Sequence, residues 1–160
     1  MNFNFIKKVA LESAVLGAIV GGITLIPYIN FFSFLFLVFL VAPFVLIKLK
    51  KQNQIGILDT QESAMWGIII GLAAFSGFFV VFTPLCGILG VFFKTGVYLT
   101  FKTLWGIGGG IPFIIMSYFM IGIIVALFNA FSAATAEYIY QQVKSLSKEK
   151  NETFKIENRG

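Results

Sequence analysis

The chain of 160 residues has no histidine, a single cysteine and few charges: 12% of its residues are Asp, Glu, Lys or Arg, against 58% hydrophobic. Without histidine, the common zinc ligand sets and any His-based catalytic triad are excluded. Lone Cys86 excludes an internal disulfide framework. No catalytic, cofactor-binding or metal site is expected. A soluble domain carries about a quarter charged residues. Half that share, combined with long apolar runs, rules out an ordinary soluble enzyme and points to a chain solvated mostly by lipid.

What is present is a series of apolar segments separated by clear punctuation. A bilayer core of about 30 Å needs about 20 mostly apolar residues in a helix, and four segments qualify. The first, 9–26, follows Lys7 and Lys8 and stops at Pro27, which cannot continue the backbone ladder. It resembles a secretory signal in outline, but no small-x-small cleavage signature follows, so it reads as an uncleaved span. The second, 29–47, holds Pro43 near its end, where a kink or early finish is expected, and is followed by Lys48, Lys50 and Lys51. The third, 61–82, begins with a capping-box arrangement of Asp59 and Glu62 and is closed by Thr83-Pro84. The fourth, 112–136, starts at Pro112, a favoured first-turn residue.

Residues 85–105 are apolar but broken by Gly87, Gly90 and Gly96, carry Lys94 and Lys102, and show no helical or strand period that decides between the two. Charge decides instead. With four spans, Lys7, Lys8, Lys48, Lys50, Lys51, Lys144, Lys148, Lys150, Lys155 and Arg159 share one side and only Lys94 and Lys102 the other; a fifth span would leave seven against five. The positive-inside rule favours four spans with both termini cytoplasmic. The expected fold is therefore all-α: a polytopic membrane protein with one transmembrane domain over 1–140, its four helices forming two parallel helical hairpins. An extracytoplasmic re-entrant or interfacial insertion at 83–111 separates helices three and four. Residues 141–160 are expected to be a basic cytoplasmic tail, its first turns able to extend the fourth helix and the rest disordered.

Residues 12–21, Glu-Ser-Ala-Val-Leu-Gly-Ala-Ile-Val-Gly, align with residues 62–71, Glu-Ser-Ala-Met-Trp-Gly-Ile-Ile-Ile-Gly, at six of ten positions. The shared polar pair and the later Pro27 and Pro84 indicate an internal repeat, in which each copy opens a hairpin on the cytoplasmic side. Some transporters are built from such parallel repeats, and a duplicated hairpin is equally a simple route to a four-helix bundle.

The order of a Gly/Ala-rich helix, the turn Ile26-Pro27-Tyr28-Ile29-Asn30, an apolar helix, a basic loop and a second small-residue helix resembles a group of small uncharacterised bacterial membrane proteins. The resemblance covers roughly residues 10–80. Where that group has a Cys cluster after the Pro turn, this chain has Phe31, Phe32 and Phe34. The resemblance implies a multi-pass location in a cell membrane, the bacterial inner membrane, and no particular activity.

Small residues mark the packing seams. Ser13, Gly17 and Gly21 share one stripe, Ser63, Gly67 and Gly71 a second, and Gly122, Ala126 and Ala130 a third; such stripes let helices approach closely in lipid. Glu12 and Glu62 point away from their stripes and read as interfacial or capping groups. Lys94 and Lys102, beside Tyr98, Phe101 and Trp105, read as interfacial anchors or as a basic site for an anionic group. Asn129 and Glu137 lie beside the third stripe. Asn129 is about 12 Å from Glu137 along the axis, and an unpaired amide at that depth is penalised. The pair is the candidate intramembrane polar site, as a functional centre or as interhelical glue. The leading expectation is a non-enzymatic structural or interaction module embedded in the lipid bilayer, associating with copies of itself or another membrane protein through the small-residue faces. The alternative is a small transporter or channel for an ion or small solute. The net charge of +5 follows from topology, and nucleic acid is not an expected partner.

Overall fold

The computed structural model describes residues 3–92 and 111–157, and within them every regular element is helical. Helix α1 is Phe3–Ile23; α2 (Asn30–Leu35) runs through a π-helical turn, Phe36–Leu40, into α3 (Val41–Lys51); α4 is Thr60–Phe92 and α5 is Ile111–Glu157. Three helical stretches are long and apolar enough to cross a membrane: Asn30–Lys51, Thr60–Leu89 and Ile115–Ser147. α1 is not among them. Lys7, Lys8 and Glu12 fall in its first half, and the uncharged remainder is only about 16 Å long at 1.5 Å per residue.

Contacts in register fix the directions of the helices. Phe5 meets Trp66, Gly17 meets Ala74 and Gly21 meets Phe78, so α1 and α4 run the same way. Gly67 meets Ala130, Gly71 meets Ala126 and Ser76 meets Tyr118, so α4 and α5 are antiparallel. Thr24 with Ser33 and Glu12 with Lys48 close α1 and the α2–α3 rod into an antiparallel hairpin. The core lies where these meet, built from Val9, Val20, Leu37, Val41, Val45, Leu49, Ile70, Phe75 and Val125.

Four segment boundaries differ from the sequence reading. α1 begins at Phe3 and ends at Ile23, before Pro27. Pro43 neither ends its helix nor stands alone as a kink: the ladder widens one turn earlier, with Val41 N–H bonding to the Phe36 carbonyl, and the rod continues to Lys51. The missing proline N–H leaves a gap in the ladder, and a π turn accommodates it without stopping the helix. The rod then ends in a Schellman arrangement. Asn53, at φ 54°, donates to the Lys50 carbonyl and Gln54 to that of Leu49. α4 does not stop at Thr83-Pro84 but passes through Pro84 to Phe92; neighbouring side chains and local adjustment make proline tolerable in such apolar helices. α5 runs to Glu157, so the tail expected to be partly disordered is helical that far. Gln, Lys, Glu and Leu are good helix formers, and no Gly or Pro interrupts 123–157. The rest of the expected insertion, 93–110 with Lys94 and Lys102, lies outside the described residues.

Candidate functional site

The structure buries Asn129 completely, on the face of α5 that meets the π turn. Its Oδ1 accepts the Ala42 N–H at 2.9 Å. Its Nδ2 donates to the carbonyls of Leu37 at 3.0 Å, Val38 at 2.9 Å and, within its own helix, Val125 at 3.0 Å. The widened ladder before Pro43 releases backbone groups that an α-helix would pair, and this one amide takes them up. An amide carries two N–H bonds and one carbonyl oxygen, so both donors are engaged and shared among three carbonyls. One side chain thereby ties α5 to the α2–α3 rod.

Glu137 lies two turns further along the same seam and is also buried. Lys50 bonds to its Oε2, and Oε1 accepts the Leu58 N–H at 3.2 Å. The Lys50 ammonium also stands 4.0 Å from the centre of the Tyr140 ring, a cation–π contact. Glu12 makes the corresponding pair with Lys48 at 2.8 Å, but in the open: the two side chains are 45% and 31% exposed, against 11% for Lys50 and 2% for Glu137. Positions 48 and 50 stand about 200° apart on a helix. The end of α3 therefore reaches α1 with one lysine and α5 with the other. Sequence reasoning read Glu12 as interfacial and Glu137 as part of an intramembrane polar site but identified neither partner; these lie 36 and 87 residues away in the chain.

Glu62 accepts the Asp59 N–H at 3.4 Å, the returning half of the expected capping box, while the Asp59 carboxylate accepts the adjacent Thr60 N–H at 2.7 Å in place of that of Glu62. Beside it Gln141 donates to the Leu58 carbonyl at 2.7 Å. Ile57, Leu58, Asp59, Gln141, Lys144 and Ser145 line an open cleft of about 460 Å³.

The small-residue stripes are occupied within the chain. A Cβ on Gly17 would lie 1.8 Å from the Ala74 carbonyl oxygen, and one on Gly77 1.9 Å from that of Ala14. A Cβ on Gly67 would come within 2.6 Å of Ala130, one on Gly71 within 2.9 Å of Asn129, and one on Gly122 within 3.1 Å of the Phe75 ring. Ser13, Ser63, Ala126 and Ala130 are buried in the same seams. The faces expected to receive a second protein thus hold α1, α4 and α5 together, and any partner must use other surfaces. Ser13 bonds to the Val9 carbonyl at 2.8 Å, whereas the buried Ser63 Oγ has no hydrogen-bond partner among the described residues. No group of His, Cys, Asp and Glu able to hold a metal occurs among the described residues.

Among the described residues this geometry is all-helical, with three helical stretches that can span a membrane. No protein-family model, curated protein or solved structure matches the chain.

Proposed function

We propose that the chain is a four-span integral membrane protein with both termini cytoplasmic, serving as a structural or interaction module and not as an enzyme. The observation that carries this reading is Asn129. The polar side chain buried between the helices directs its donors and acceptor at backbone groups of the α2–α3 rod and of its own helix, and so serves to hold helices together. Membership of α1 in the bundle supports a fourth span: it lies beside α4 from Phe5 to Gly21, and its one carboxylate, Glu12, is neutralised by Lys48. The lysines gathered at one end support the orientation.

A second reading, a small transporter or channel, is favoured by the π turn facing Asn129 with the buried Lys50–Glu137 pair below it, because broken helices and paired charges at membrane depth mark solute pathways elsewhere. Reconstitution into proteoliposomes separates the two. The module reading expects no protein-dependent flux over a panel of ions and small solutes. It also expects Asn129→Leu to lower stability by about 1–3 kcal/mol as backbone groups lose their partner. Flux that disappears in Asn129→Leu or Glu137→Gln with the fold retained establishes the transporter instead. A strictly monomeric state in lipid and several mild detergents, without any copurifying protein, counts against the module.

A further inference from the structure

Resting on the membrane-spanning reading above, we infer that the cleft between α5 and the loop before α4 binds the headgroup of a phospholipid in which a primary ammonium is joined to a phosphate. The cleft, of about 460 Å³, is lined by one carboxylate, Asp59, and one ammonium, Lys144, together with Ile57, Leu58, Gln141 and Ser145. Gln141, Lys144 and Ser145 stand at i, i+3 and i+4 and so share one face of the helix. Gln141 ties that face to the loop through the Leu58 carbonyl.

Asp59 and Lys144 share this lining without meeting: neither forms an ion pair with any described residue. Asp59 spends Oδ1 on the Thr60 N–H, and its Oδ2 has no hydrogen-bond partner among the described residues. Gln141 donates through Nε2 and keeps Oε1 unengaged among the same residues. The cleft thus offers two acceptors beside one cation. A ligand with both charges satisfies the two sides at once, its ammonium bonding to Asp59 and Gln141 and its phosphate to Lys144. A singly charged ligand leaves one side unmatched. The lining also selects a primary amine, because carboxylate and amide oxygens accept N–H bonds. A quaternary ammonium has none to give and is held by aromatic rings instead, of which this lining has none.

Depth identifies the source. Tyr138 and Tyr140 are exposed, at the level that aromatic side chains take where membrane meets water. Lys144 lies four residues beyond Tyr140, about 6 Å along the axis, within a headgroup layer about 5–7 Å thick. Ile57, 55% exposed, adds an apolar contact for the ester end of a lipid, which a free phosphoamine has no group to use.

The test begins with alkaline carbonate treatment of native membranes holding the full chain. Retention is expected, and release removes the membrane-spanning reading itself. The purified chain in mild detergent is then titrated with phosphatidylethanolamine, phosphatidylcholine and phosphatidylglycerol, and bound lipid is counted by native mass spectrometry. Phosphatidylethanolamine should bind at least about tenfold more tightly than phosphatidylcholine, and Lys144→Gln should weaken it about tenfold. Asp59→Asn, which keeps a capping side chain, should weaken phosphatidylethanolamine by a similar factor yet strengthen phosphatidylglycerol, since the carboxylate that attracts an ammonium repels an anionic lipid. A merely structural role for Asp59 would move both lipids the same way. Such parallel movement, equal affinity for phosphatidylethanolamine and phosphatidylcholine, or unchanged phosphatidylethanolamine binding in either variant overturns the site while the membrane reading stands. Displacement of the lipid by an equal concentration of free phosphoethanolamine upholds the ammonium and phosphate chemistry and overturns the lipid as its source.

Discussion

Residues 12–21 and 62–71 match at six of ten positions, yet the fold uses them differently. In the first, Gly17 admits the backbone of α4, a parallel neighbour; in the second, Gly67 and Gly71 admit α5, an antiparallel one. Ser13 bonds back to its own helix while Ser63 is buried without a partner. Glu12 reaches a lysine on α3, and Glu62 caps its own helix. Ala74, one turn beyond the second segment and on the same stripe, faces α1, so a single small-residue face of α4 is divided between two neighbours. A Gly/Ser stripe thus states that a helix can be approached closely. Which helix approaches, and in which direction, depends on connectivity and on what else competes for the face.

Substitutions can sharpen that contrast. The largest effect is expected at the glycines. Gly17→Ala forces a methyl group against a backbone oxygen that cannot turn aside, and should cost about 3 kcal/mol or more. Gly67→Ala meets Ala130 from a greater distance and should cost about 2 kcal/mol. Thermal unfolding in detergent would show the first variant with the lower Tm, and the reverse order would break the argument from close approach. Gly22, just past the first segment, differs, since a Cβ there meets nothing within 4 Å. Gly22→Ala should therefore stabilise the protein by up to about 1 kcal/mol through helix propensity.

The serines should differ in sign. Ser63→Ala removes an unpartnered buried hydroxyl and should gain up to about 1 kcal/mol, whereas Ser13→Ala gives up a bond and should lose about 0.5 kcal/mol. Equal responses in parallel denaturation curves would mean that Ser63 has a partner after all. The smallest effects belong to the glutamates. Glu12→Gln breaks an exposed pair and should cost about 0.5 kcal/mol at low salt and nothing at high salt. Glu62→Gln keeps its acceptor and loses only the interaction with the helix dipole, about 0.3 kcal/mol. A salt series on both variants measures the difference.

The all-helical class, the apolar segments and the helix start at Asp59 and Glu62 were legible because each follows from local composition and from spacing within one or two turns. The effect of Pro43 and Pro84 was not. Proline removes a donor wherever it occurs, but whether the helix ends, widens or continues depends on what can satisfy the freed carbonyls. For Pro43 the answer involves Asn129, 86 positions away in the sequence. That Asn129 requires hydrogen-bond partners could be read from its place in an apolar helix, but their identity could not. The lysine partners of Glu12 and Glu137 were hidden for the same reason.

By itself the amino-acid sequence determined the helical class and the rough extent of the three stretches apolar enough to cross a membrane, because hydropathy and helix length are properties of each segment alone. Only the tertiary structure decided which small-residue faces meet, which backbone groups Asn129 satisfies and which glutamate pairs with which lysine. Those choices arise between segments far apart in the chain, where close approach and the cost of an unpaired buried group act only once the helices are side by side.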